Sequence, residues 1–129
     1  MGSGGARLYV HPPDHATVKG TPFPTPDSPL PTVFALAILR YRRPLDEVLT
    51  VIDEHRAYLR ELQAEGTLIA SGPLVPRSGG ALLLRVADDD WFAALDRVRD
   101  GDPFTRTGMA QYEILPWAPN IGVEALEGL

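Results

Sequence analysis

Residues 44–66 read PLDEVLTVIDEHRAYLRELQAEG. Within this stretch Leu45, Val48, Leu49, Ile52, Leu59 and Leu62 recur at helical spacing. The spacing predicts one helix, opened by Pro44 and closed by Gly66, with its apolar stripe turned to a core. His55 stands on that stripe, three residues after Ile52 and four before Leu59. An ionisable ring on a core-facing stripe is costly without a partner, and with one it is placed for proton chemistry near neutral pH. From this helix alone, a core histidine that merely bonds a backbone carbonyl is the commoner explanation. The rest of the chain raises the catalytic one.

Upstream, Thr32 to Tyr41 reads as a strand, with Val33, Ala35, Ala37 and Leu39 on one face and Phe34, Leu36 and Ile38 on the other. Both faces are apolar, so both need cover. Downstream, Thr67 to Ser71 reads as a second strand ended by Gly72-Pro73, and Pro76 to Gly80 as a turn rich in breakers. Ala81 to Val86 is a third strand, joined to the second by a hairpin or a longer antiparallel link. Asp88, Asp89 and Asp90 offer an N-cap and favourable charge for a second helix, with Trp91, Phe92, Leu95 and Val98 as its apolar positions and Gly101 as its stop. Met109 to Trp117 alternates as a fourth strand, Gln111 and Glu113 against Ala110, Tyr112 and Ile114. The order β-α-β-β-α-β is the ferredoxin-like arrangement of the α+β class. Two helices cover one face of a four-stranded sheet. A second copy of the chain is the economical cover for the other, which predicts a homodimer through the sheet face.

The chain has 129 residues, 44% hydrophobic and 22% charged, with a formal charge of −5. These values suit one soluble domain of residues 32–118, followed by a tail over residues 119–129. Residues 1–31 read as an arm, extended or irregular, because seven prolines fall between Pro12 and Pro31. Removing residues 1–25 is expected to leave the domain folded. The opening Met1-Gly2-Ser3-Gly4-Gly5 lacks a signal peptide's apolar stretch and carries no functional weight. No basic patch points to nucleic acid, and no apolar run is long enough for a membrane. The absence of cysteine removes thiolate metal sites and thiol nucleophiles, and is compatible with a cytoplasmic location. His11 and His15 lie four apart, but Pro12 and Pro13 between them argue against a helical metal site.

Asp102, in the string Asp102-Pro103-Phe104, is the second candidate for chemistry. Asp before Pro is a good N-cap on its own account. Its carboxylate is also expected to reach His55, since both helices of this fold lie on one face. Such a carboxylate fixes the tautomer of an imidazole and stabilises the imidazolium. Ser71, at the end of strand two, and Arg106 are candidate substrate contacts, although a strand-ending turn and a solvated arginine are the commoner roles. Trp91, Phe92 and Trp117 read as core or interface. Gly79-Gly80 reads as a plain turn, not a phosphate loop.

Taken in order, His55 with Tyr58-Leu59, Glu65-Gly66-Thr67-Leu68, Ser71-Gly72-Pro73-Leu74, Gly79-Gly80-Ala81-Leu82-Leu83, Asp102-Pro103-Phe104, Gly108, Tyr112-Glu113-Ile114 and Pro116-Trp117 form a pattern. It resembles the YciI-like (YCII-related) family over residues 32–118. The resemblance implies a dimeric α+β barrel and a His–Asp pair in a cleft, which falls here on His55 and Asp102. It also implies kinship with dehydrochlorinases of chlorinated hydroxyquinols, with muconolactone isomerase-like enzymes and with cofactor-free oxygenases.

Together these readings predict a cofactor-independent, metal-free acid–base enzyme, a lyase or isomerase, whose partner is a small cyclic or aromatic metabolite. The rival is a non-catalytic small-molecule-binding or assembly module in which His55 and Asp102 form a structural bond. A cavity beside His55 separates the two: an enzyme needs one open to solvent, and a structural pair is sealed.

Overall fold

The computed structural model describes residues 32–129. The arm, with His11 and His15, lies outside them. Strand β1 (Thr32–Tyr41) leads into helix α1 (Leu45–Val48), a 3₁₀ turn (Leu49–Val51) and helix α2 (Ile52–Ala64). Strands β2 (Leu68–Pro73) and β3 (Gly79–Ala87) follow, then a 3₁₀ turn (Asp88–Asp90), α3 (Trp91–Gly101), α4 (Pro103–Arg106), β4 (Ala110–Trp117) and α5 (Val123–Glu127). The four strands are ordered β2-β3-β1-β4, and every neighbouring pair is antiparallel. This is the ferredoxin-like α+β fold expected from the sequence.

Four local readings are corrected. The helix expected from Pro44 to Gly66 is broken by the 3₁₀ turn. There Thr50 Oγ1 bonds back to Glu47 O at 2.6 Å, and Val51 leaves helical geometry at φ −112, ψ 3. A hydroxyl that competes for a helical carbonyl, within the β-branched run Thr50-Val51-Ile52, accounts for the break. Second, β2 runs on past Ser71 to Pro73, because Gly72 and Pro73 pair with Ala81 and Gly80. Gly79 and Gly80 therefore belong to β3 rather than to a turn. Third, Asp90 is the N-cap residue of α3 but makes no capping bond through its side chain. Asp88–Asp90 place negative charge near a helix N-terminus. Fourth, the segment read as a tail carries α5.

Gly66 closes α2 with φ 88, and Thr67 N–H bonds Leu62 O at 2.9 Å while Gly66 N–H bonds Gln63 O at 3.0 Å. That paired closure turns the chain straight into β2. Gly79 answers a different need. A Cβ there would stand 1.8 Å from Leu39 O of the neighbouring strand. Gly79→Ala is therefore expected to force β1 and β3 apart and to cost about 1–3 kcal/mol in chemical denaturation.

The core lies between the helices and one sheet face. Ala35, Ala37 and Leu39 of β1 and Leu82, Leu84 and Val86 of β3 meet Leu59 and Leu62 of α2, Leu95 and Val98 of α3, and Phe104. The other face is partly bare. Phe34 is buried there, and Arg85 across from it donates to Leu126 O of α5 at 3.3 Å. Farther along, Leu36 lies between Leu83 and Leu115 in adjacent strands, with Leu115 38% and Trp117 41% exposed.

Candidate functional site

His55 and Asp102 arrive from different elements. His55 keeps its place on the stripe of α2 with Leu59 and Leu62, and all three are buried. Asp102 is the N-cap of α4, with Pro103 in the first turn, and its Oδ1 accepts the Phe104 N–H at 2.8 Å. The same Oδ1 lies 2.8 Å from His55 Nδ1. Thus the capping role and the imidazole-pairing role fall on one oxygen. Tyr112 O–H on β4 donates to the other oxygen, Oδ2, at 2.5 Å. Asp102 is fully buried, and three donors offset its desolvation.

This arrangement sets the tautomer. A carboxylate is an acceptor, so the neutral His55 ring donates from Nδ1 and presents Nε2 as a bare acceptor. Phe104 stacks on the ring with centroids 3.9 Å apart and planes 7° from parallel, which fixes its tilt. Among the described residues no group bonds Nε2.

His55 is 7% exposed, and its ring borders a cavity of about 220 Å³. Leu39, Ile52, Leu59, Leu82 and Phe104 give the cavity apolar walls, and Tyr41, Ser71, Arg56 and Arg77 bring polar groups. Ser71 therefore shares a cavity with His55. Arg106 is exposed at the end of α4 and is not part of the cavity wall. Trp91 and Phe92 stack on one another at 4.3 Å on α3, also outside the wall. Among the described residues no three His, Cys, Asp or Glu side chains gather as a metal site, and no helix is long and apolar enough to cross a membrane.

The YCII-related domain pattern matches residues 34–118, most of the chain. The chain belongs to that family. A solved structure similar to this YCII-related domain is 5-chloro-2-hydroxyhydroquinone dehydrochlorinase from Burkholderia phenoliruptrix, in complex with 2,5-dihydroxybenzoquinone. The two are 22% identical with a TM-score of 0.54, over 67% of this chain and 96% of the dehydrochlorinase. At that identity the likeness speaks for the fold. No curated protein matches the sequence.

Four side chains of this YCII-related site escape a sequence reading: Tyr112, Tyr41, Arg56 and Arg77. Tyr112 alternates with Ala110 and Ile114 and so reads as core. Its hydroxyl is held far above the ordinary tyrosine range by burial first, then by the charge of Asp102 and their hydrogen bond. Tyr58, whose O–H donates to Val98 O at 2.7 Å, is pushed up to about 12 by burial and by Asp102. Both phenols keep their protons longer folded than unfolded. The stability they lend is whole below pH 10 and fades above it, up to about 12 for Tyr58 and beyond that for Tyr112. Tyr112→Phe is expected to cost about 1.5–3 kcal/mol at neutral pH, since it removes a hydrogen bond to a buried charge. It should also flatten the alkaline loss of stability, read by denaturant melts across that range.

Proposed function

We propose that this protein is a cofactor-independent enzyme of acid–base chemistry, a lyase or isomerase acting on a small cyclic or aromatic metabolite. One observation carries the reading: His55 is anchored through Nδ1 by a buried carboxylate while its ring borders a cavity. In this role Nε2 takes a proton from a ring carbon of the substrate. The electron pair of that C–H bond forms a new double bond. In an elimination the group on the adjacent carbon leaves with its own electron pair. In an isomerisation the proton returns at another carbon. Asp102 orients the ring and balances the imidazolium that forms. Ser71, in the cavity wall, is a substrate contact. Arg106, exposed and off the wall, would meet only a substrate that extends beyond the cavity.

The reading as a binding module retains one argument. Asp102 Oδ1 also caps α4, so the pair has a structural use whether or not it moves a proton. Incubation in heavy water separates the two. Cyclic compounds with an acidic C–H and a neighbouring leaving group, beginning with 5-chloro-2-hydroxyhydroquinone, are followed for deuterium uptake and halide release. The enzyme reading expects either signal, lost in His55→Gln. Absence of both while a compound occupies the cavity refutes it.

The quaternary proposal is a homodimer through the bare sheet face, where Leu36, Leu83 and Leu115 line up across three strands. A charge on this row must be buried unpaired in such a dimer. Leu36→Asp with Leu115→Asp is expected to give a folded monomer by light scattering. A wild-type monomer at micromolar concentration contradicts the proposal.

A further inference from the structure

We infer that the cavity beside His55 selects an anionic single-ring compound, its carboxylate or ionised phenol held by Arg56 and Arg77. The inference rests on reading this cavity as the substrate site, and it adds the chemical class of the substrate.

The charge of the wall carries it. Seventeen acidic residues outnumber twelve basic ones in the chain. Yet two guanidiniums and no carboxylate line the cavity. Arg40, Arg43 and Arg99 each hold a carboxylate at the surface. Among the described residues Arg56 and Arg77 have no such partner, and Arg77 Nε only donates to Tyr41 O–H at 3.5 Å. Asp102, bonded to Nδ1 of the His55 ring, is taken up by three donors, and Asp53, one turn before Arg56 on α2, is exposed and is not part of the cavity wall. Two guanidinium forks with no carboxylate partner among the described residues, on an apolar cavity, match a planar oxyanion on a hydrophobic body.

Size narrows the class further. A cavity of about 220 Å³ is smaller than the roughly 300–1,000 Å³ of sites for drug-sized molecules. It suits one ring with small substituents. Arg56 follows His55 directly on α2, and Arg77 lies on the β2–β3 loop. An oxyanion held by these two places the ring in the same cavity as Nε2.

The test is a titration of the full chain with benzoate, 2-hydroxybenzoate and cyclohexanecarboxylate against the corresponding amides, read by calorimetry and by chemical-shift changes. The acids are expected to bind at least about tenfold more tightly than the amides, a difference of about 1.4 kcal/mol. Arg56→Met with Arg77→Met should erase that preference without moving the thermal melt, and each single change should erase part of it. His55→Gln should retain it. Equal affinity for acids and amides, no binding of either, or a preference that survives the double change overturns the inference. Retained preference without deuterium uptake overturns the proton-transfer reading alone. Uptake without preference overturns the anion inference alone.

Discussion

Asp102→Ala is expected to destabilise the domain by about 3–5 kcal/mol in denaturant melts, the range for removing one member of a buried ionic pair. Three donors lose their acceptor at once: His55 Nδ1, the Phe104 N–H and the Tyr112 O–H. The Asp102 side chain is 0% exposed, so these donors have no bulk solvent beside them. Asp102→Asn separates folding from chemistry. Its amide oxygen still accepts from Phe104 N–H and the imidazole, so the fold should survive with a smaller loss. The amide does not balance an imidazolium. Turnover should therefore fall by about 10²–10⁴, the usual worth of a positioned acid–base group. An Asp102→Asn variant with full activity would reduce the pair to a helix cap.

The second large effect falls on His55. His55→Gln offers Asp102 an N–H donor in place of Nδ1, and its melt should stay within about 1–2 kcal/mol of the parent. Its turnover should drop by about 10²–10⁴, because an amide does not accept and return a proton near neutral pH. The ratio of the two losses is the informative quantity. A catalytic His55 loses activity far out of proportion to stability. A structural one loses stability, and any activity falls only as the protein unfolds.

The fold was legible because each element announces itself by period. The continuous apolar run of β1, the alternation of β4 and the stripe of α2 are strong local patterns, and the β-α-β-β-α-β order restricts the topology. Boundaries were less legible. Thr50 Oγ1 breaks the first helix by bonding a carbonyl three residues back, a choice that composition alone does not force. Gly79 and Gly80 look like turn residues. They lie in a strand because β1 passes too close for a side chain at Gly79.

The site divides along the same line. His55 stood out as a polar residue on an apolar stripe. Asp102 was reachable through its Asp-Pro-Phe string and through the family resemblance. Tyr112 was hidden because a half-buried aromatic in an alternating strand looks like ordinary packing. Arg56 and Arg77 were hidden because an exposed arginine on a helix or loop carries no local mark of the cavity it borders. Only the folded arrangement brings Arg56 and Arg77 to one cavity and the Tyr112 hydroxyl to Asp102.

The central claim is that neutral His55 carries its proton on Nδ1 and keeps Nε2 bare for substrate. Long-range ¹H–¹⁵N correlation spectra of the imidazoles read this directly, with His55→Gln assigning the signal among the three histidines of the chain. The account predicts the Nδ1–H tautomer in the neutral ring, with an Nε2 resonance that shifts when an aromatic acid enters the cavity. A neutral ring protonated on Nε2, or an Nε2 resonance indifferent to every cavity ligand, contradicts it.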